Sequence, residues 1–183
     1  MVIIVSGVSG VGKNTIIQKL IDQYDNMFFI KSATTRPRRN DNDLYEYMSE
    51  EEFFAKDKAG EFFETIYLPT HGQWSATQYK ELDKIVNNPQ NIYIKDIEVK
   101  GTRKLRKYFK GKTKMISIFL DAPDDVLYNR LLQRGEIPEK AKSRLSRGTM
   151  ERKYKKEYDL VIENIDMQKT INTIKEFISK QGE

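Results

Sequence analysis

The 183-residue sequence predicts an α/β fold, a parallel sheet flanked by helices, on three observations. A β-branched apolar run at residues 2–6 passes through a glycine-rich stretch into Ile16, Ile17, Leu20, Ile21 and Tyr24, which recur at helical spacing. Strand-like and helix-like segments alternate at both ends of the chain, as the crossovers of a parallel sheet require. Between them, residues 32 to about 88 are less regular and read as an insertion.

Taken in order, residues 2–6 form a strand and the segment after the glycines a helix. Residues 27–30 suggest a second strand, and the polar run 40–43 a loop. Residues 50–58 read as a helix, with Ser49 as N-cap and Glu52 completing a capping box. The aromatic stretch 61–79 suits short strands. Residues 91–99 are strand-like, and 114–120 form a buried strand. Helical patterns follow at 124–133, 138–156 and 167–180, with a short strand at 160–162 before the last.

Length and pattern suit one domain with an inserted lobe. The ten Tyr, nine Phe and single Trp supply a core and argue against disorder. Absence of cysteine excludes a disulfide scaffold, a thiolate zinc site and a cysteine nucleophile. The single histidine, His71, cannot build a His-rich metal site. No apolar run reaches the ~20 residues that span a bilayer, and the N-terminus lacks a basic n-region, so a soluble, cytoplasmic protein is expected. The net charge of +5 suits polyanions or small phosphorylated ligands.

The glycine-rich stretch decides between these. Gly7-Val8-Ser9-Gly10-Val11-Gly12-Lys13 fits G-x-x-x-x-G-K between a strand and a helix, the setting of a P-loop. Glycines let backbone N–H groups converge on phosphate oxygens, the helix N-terminus adds a favourable dipole, and Lys13 neutralises the β- and γ-phosphates. The fold is thus expected to be of P-loop NTPase type, with Gly7, Ser9, Gly10, Val11, Gly12, Lys13, Asn14 and Thr15 around ATP. Asn14 stands where this pattern places a Ser or Thr hydroxyl on Mg²⁺. Its amide oxygen can ligate the ion but projects further, so weaker metal binding is expected than with serine.

About twenty residues on, Ser32-Ala33-Thr34-Thr35-Arg36-Pro37-Arg38-Arg39 sets three guanidinium groups beside hydroxyls, a candidate second anion site. From the P-loop through this S-x-T-T-R-x-x-R segment and almost to the C-terminus, the chain resembles the guanylate kinase family. Leu44-Tyr45-Glu46-Tyr47-Met48-Ser49 followed by Glu51-Glu52-Phe53 is similar to D-Y-x-F-V-S-x-x-E-F, and Ala59-Gly60-Glu61-Phe62-Phe63-Glu64 to A-G-E-F-L-E. Asp96-Ile97-Glu98-Val99-Lys100-Gly101 parallels the D-I-D-x-Q-G pattern, Arg130-Leu131 with Arg134-Gly135 parallels R-L-x-x-R-G, and Tyr158–Asn164 parallels F-D-x-V-I-x-N.

The resemblance implies transfer of a phosphoryl group from ATP, with Mg²⁺, to a nucleoside monophosphate, GMP or dGMP above others. It implies a core of about 1–31, 89–129 and 157–183, a monophosphate-binding lobe of about 32–88 and a helical lid of about 130–156. Arg36, Arg39 and Tyr45 are then expected on the acceptor phosphate, with Thr35 beside them, and Ser32, Glu64 and Glu98 on guanine. Asn164 is expected near adenine, and Asp96 in indirect contact with Mg²⁺. Lys13, Arg36, Arg130, Arg134 and Arg144 are expected to offset the charge of the transferring group. Arg147, Arg152 and the basic run at 153–156 read as surface charge.

Several positions depart from the family's pattern. Trp74 stands in for a phosphate-binding Tyr, Ala76 falls at a base-reading hydroxyl unless Thr77 takes its place, and Glu98 replaces Asp. Two alternatives remain open: a kinase of another phosphorylated acceptor such as a ribose bisphosphate, and a phospho-ligand binding module without catalysis. No nucleic-acid or membrane partner is expected, and the chain is read as a monomer or homodimer.

Overall fold

A computed structural model describes residues 1–38, 44–68 and 72–182. Its centre is a five-stranded parallel sheet in the order β2-β7-β1-β8-β9, formed by Val2–Gly7 (β1), Met27–Phe29 (β2), Ile92–Asp96 (β7), Met115–Asp121 (β8) and Leu160–Glu163 (β9). The middle strand pairs in register on both sides, Ile3 opposite Ile94 and Ile116. Side chains alternate between the faces of a strand, and here both faces are buried. Ile3 and Val5 pack with Ile16, Ile17 and Leu20 of α1 (Lys13–Ile21) and with Ile171, Ile174 and Ile178 of α7 (Met167–Gly182). Val2 and Ile4 pack on the opposite face with Leu82 and Ile85 of α3 (Tyr79–Asn87) and Leu105 and Phe109 of α4 (Val99–Phe109).

The region read as an insertion builds a second, mixed sheet in the order β4-β3-β6-β5, from Ser32–Thr34 (β3), Tyr45–Tyr47 (β4), Phe62–Leu68 (β5) and Gln73–Gln78 (β6). Helix α2 (Glu50–Lys58) covers it, and Phe53, Phe62, Ala33 and Ala76 form its core. The capping box is present, with Ser49 accepting from the Glu52 N–H at 3.1 Å and Glu52 accepting from the Ser49 N–H at 3.0 Å. Helices α5 (Asp124–Gln133) and α6 (Pro138–Arg152) follow β8, and α6 lies over the first strand's exit, with Gly148 against Val8.

Several boundaries differ from the sequence reading. Helix α1 stops at Ile21, so Tyr24 belongs to the following turn, where its N–H reaches the Ile21 carbonyl at 3.3 Å. The last helix before β9 breaks at Arg152 into a separate 3₁₀ turn, Lys155–Glu157. The strand expected over 91–99 ends at Asp96, because Val99 begins α4. The polar run 40–43 lies outside the described residues. Among the described residues, no helix is long and apolar enough to cross a membrane.

Candidate active site

Strand β1 carries the chain into the glycine-rich loop. A Cβ on Gly7 would sit 2.1 Å from the Leu120 carbonyl oxygen, so only glycine lets the loop leave the sheet this close to β8. Gly12, the N-cap of α1, has φ 97°, a left-handed conformation that glycine adopts without strain. The first turn of α1 carries no acidic residue, which leaves its positive end free for an anion. Lys13 folds back over the loop, its Nζ donating to the Gly7 carbonyl at 2.8 Å.

This loop forms one end of a cleft of about 330 Å³ lined by Gly7, Ser9, Gly10, Gly12, Lys13 and Asn14. The other end is the face of the second sheet, where Ser32, Thr34, Arg36, Tyr45, Glu64, Ser75 and Thr77 line the same cleft. Between them stand Asp96 and Glu98 at the end of β7, with Arg134, Arg144, Arg147 and Glu151 from the α5–α6 segment.

The acceptor end is organised by strand register. Thr77 on β6 pairs with Ser32 on β3 and with Glu64 on β5, so the three lie abreast across the sheet. The Thr77 hydroxyl donates to Glu64 Oε1 at 3.3 Å, and Lys104 Nζ lies 3.8 Å from Glu64 Oε2. Burial pushes the Glu64 carboxyl up, while the charges of Lys104 and Lys95 and the Thr77 hydrogen bond pull it back. Arg36 lies 4.4 Å over the Tyr45 ring and donates to the Tyr47 hydroxyl at 3.0 Å, which fixes its guanidinium at the cleft wall. Beneath Ser32 lies Lys95, fully buried, its Nζ donating to Ser32 Oγ at 2.7 Å. Burial lowers this ammonium to about 8.

Toward the middle, burial also raises the carboxyls of Asp96 and Glu151, and Lys13 pulls both down. Glu98 accepts from Arg147 Nη2 at 3.4 Å, and Arg144 forms an ion pair with Glu136. Asn14 and Asp96, an amide and a carboxylate, both line the cleft, and Lys13 acts on the Asp96 charge; oxygen donors of this kind suit Mg²⁺.

Most of the expected residues meet in this one cleft, and several do not. Trp74 lies outside it: on a strand, neighbours face opposite ways, so Ser75 and Thr77 face the cleft while Trp74 packs on Phe54 and Tyr67, ring centroids 5.5 and 5.0 Å away. Ala76 lines the cleft without bringing a hydroxyl to it; it is buried opposite Ala33 and Thr65, and Thr77 supplies the hydroxyl. Thr35 also turns from the cleft, its Oγ1 accepting from the Trp74 N–H at 3.0 Å. Asn164 is buried, donating to the Val11 carbonyl at 2.7 Å and accepting from Thr170 at 2.9 Å, so its amide holds the loop from behind. Arg130 is not among the cleft residues, because its guanidinium is drawn to the Asn164 and Ile165 carbonyls at 2.9 and 3.2 Å. Val11 is buried and Thr15 exposed, both off the cleft. Arg39 lies outside the described residues.

Other residues near the cleft carry no motif in the sequence. Arg147, read as surface charge, lines the cleft beside Glu98. Glu151 and Ser75 line it as well. Lys95 carried a visible signal, a lysine following Ile92, Tyr93 and Ile94 in an apolar strand. Arg152, read as surface charge, is instead mostly covered, its side chain 22% exposed and paired with Asp121 at 2.8 Å and Asp124 at 2.7 Å.

The family model described as Guanylate kinase matches residues 1–181. A guanylate kinase of Malacoplasma penetrans is 36% identical, aligned over 97% of this chain and 91% of its own. One from Bacteroides thetaiotaomicron is 32% identical over 98% of this chain and 90% of its own. The crystal structure of guanylate kinase from Anaplasma phagocytophilum shares the fold, with a TM-score of 0.74 at 22% identity, covering 99% of this chain and 85% of that one. With a match along nearly its whole length, the chain belongs to the guanylate kinase family.

Proposed function

We propose that this chain transfers the γ-phosphoryl group of ATP to GMP or dGMP, releasing ADP and the guanosine diphosphate. The observation that supports it most is a single cleft with a phosphate loop at one end, a guanidinium and a carboxylate–hydroxyl row at the other, and arginines between. ATP lays its phosphates on the N–H groups of the glycine loop and on Lys13. The acceptor phosphate meets Arg36 and Tyr45. Glu64 accepts from the N1–H and N2–H₂ donors of guanine, with Ser32 and Thr77 beside it and Glu98 at the rim.

An oxygen of the acceptor phosphate attacks the γ-phosphorus in line, and the bond from that phosphorus to the β,γ-bridging oxygen breaks. No protein nucleophile is needed, because phosphoryl transfer depends on positioning and on offsetting charge. Lys13, Arg36, Arg134 and Arg144 supply positive charge, and Arg147 adds a further guanidinium. Asn14 and Asp96 are the residues that would hold Mg²⁺, directly or through water, while the ion would screen the phosphates of bound ATP. Residues 32–88 then serve as the acceptor lobe and 130–156 as a lid that excludes water. The enzyme works on free nucleotides in the cytoplasm, as a monomer or homodimer, without a nucleic-acid or membrane partner.

A coupled assay of ADP release with MgATP and a panel of monophosphates tests this reading. Turnover is expected with GMP and dGMP and is expected to fall off sharply with AMP and UMP. Turnover confined to a ribose bisphosphate, or none with any acceptor at millimolar concentration, overturns it.

A further inference from the structure

Lys95 is a buried ammonium that neither the fold nor phosphoryl transfer requires. It lies in β7, beside the central strand, with 0% of its surface exposed. Its hydrogen-bond partners are two neutral oxygens, Ser32 Oγ at 2.7 Å and the Ile30 carbonyl at 3.4 Å. Among the described residues no carboxylate stands in ion-pair contact with it. Glu64, Asp96 and Glu81 act on this charge only from beyond ion-pair contact, and burial outweighs them. Such a cation costs stability, and a methionine would fill the same space without that cost. Packing therefore does not account for a lysine here.

The direction of the bond does. An ammonium carries three N–H donors and no acceptor, so in the Lys95–Ser32 bond the serine oxygen must accept. The hydroxyl's single proton is then left to donate. No acceptor for it stands among the described residues, and Ser32 lines the cleft. Two positions across the sheet, Glu64 offers a carboxylate, with Thr77 between them in the cross-strand row. Side by side, the row presents a donor and an acceptor to whatever base enters.

We propose that Lys95 is a positioning residue for the acceptor base, fixing the Ser32 hydroxyl as a donor so that the site selects a 6-oxopurine over a 6-aminopurine. This rests on the reading of the cleft as a nucleoside monophosphate site. Guanine sets an O6 acceptor beside its N1–H and N2–H₂ donors and matches the row, whereas adenine sets an N6 amine donor against the serine proton. Without the ammonium, the Ser32 hydroxyl rotates freely and accepts from an amine as readily as it donates to a carbonyl.

The test is a double-mutant cycle on the full chain, reading kcat/KM for GMP and for 6-thio-GMP, whose sulfur is a weaker acceptor while the ring donors remain. The wild type is expected to prefer GMP. Lys95→Met is expected to shrink that preference by about fivefold to tenfold, the worth of one hydrogen bond. Ser32→Ala is expected to shrink it similarly, and the double variant no further, since Lys95 acts through Ser32. KM for MgATP stays unchanged throughout, which a general loss of structure would not allow. An unchanged preference in Lys95→Met, additive effects in the double variant, or a parallel rise in KM for MgATP overturns the inference. If Lys95→Met does not fold, Ser32→Ala reads the same contact from its other side, and an unchanged preference there is equally decisive. Absence of GMP turnover in the wild type would instead overturn the functional reading, and this inference with it.

Discussion

The side-chain amide of Asn164 donates to the carbonyl of Val11 at 2.7 Å, across 153 positions of sequence. Its oxygen accepts from Thr170 at 2.9 Å, so a single buried amide ties the phosphate loop to the end of β9 and the start of α7. Arg130 reinforces the tie through the Asn164 carbonyl at 2.9 Å. The loop that holds ATP is thus anchored from behind by residues that do not line the cleft.

Asn164→Ala removes that anchor. Val11 keeps only the weaker approach of Arg130 at 3.4 Å, so the variant should lose about 1–3 kcal/mol of stability, the cost of a buried polar group left short of a partner. Urea denaturation measures this. A parallel assay should find KM for ATP raised more than KM for GMP; equal changes in both would show that the anchor does not act through the loop.

Lys13→Ala should nearly abolish turnover while leaving the fold intact. Among the described residues the side chain donates to the Gly7 and Val8 carbonyls, and it is partly exposed, so little packing is lost. A rate within a few-fold of wild type, with an unchanged circular dichroism spectrum, would contradict the assignment of the loop.

Asn14→Ser should raise turnover and lower the Mg²⁺ concentration for half-maximal rate, with a smaller change in ATP affinity. A serine hydroxyl lies one atom nearer the helix than the asparagine oxygen, and Mg²⁺ demands ligands near 2.1 Å in close to octahedral geometry. A tenfold gain would correspond to ~1.4 kcal/mol of transition-state stabilisation. Titrating Mg²⁺ at saturating ATP and GMP measures it; unchanged or reduced turnover would show that Asn14 suits this site.

Lys95 gives stability a pH dependence of known sign. Burial lowers its folded value to about 8 from an ordinary 10.5. Between those values the unfolded chain holds the proton and the folded chain does not, so stability contributed at this site rises with pH across that window. The wild type should therefore gain on Lys95→Met by about 3 kcal/mol in total as pH climbs through it. Unfolding free energies of the two proteins, measured from neutral pH upward, should show the wild type rising relative to the variant and closing the gap between them. Parallel curves would show that the ammonium is not desolvated.

How far the sequence reveals this molecule varies along the chain. The strand–loop–helix of residues 2–21 is legible because glycine spacing and helical periodicity coincide there. Helix α4 is hidden: Val99, Thr102, Leu105 and Phe109 are buried, but Lys100, Arg103, Lys104, Arg106 and Lys107 stand between them and dilute the apolar signal. Strands β3 and β4 are three residues each, too short for an alternation to register. Motif matching groups Lys13, Arg36, Glu64 and Arg134, and all four line the one cleft. It fails at Trp74 because a shift of one residue on a strand exchanges its two faces, and Thr77 is the residue whose register faces Glu64. For Arg130 and Asn164, pattern alone does not distinguish a side chain aimed at ligand from one aimed at backbone carbonyls. Lys95 is visible as a lysine in an apolar strand, but its bond to Ser32 spans 63 positions and exists only in the folded chain.

The central claim is direct transfer between two nucleotides that face each other across one cleft. Incubation with γ-labelled ATP and GMP, followed by separation of the products, tests it most directly. The account predicts that the label passes to the β-phosphate of GDP, with one ADP formed for each GDP and Glu64→Gln slowing both equally. Label released as inorganic phosphate, without GDP, would contradict it.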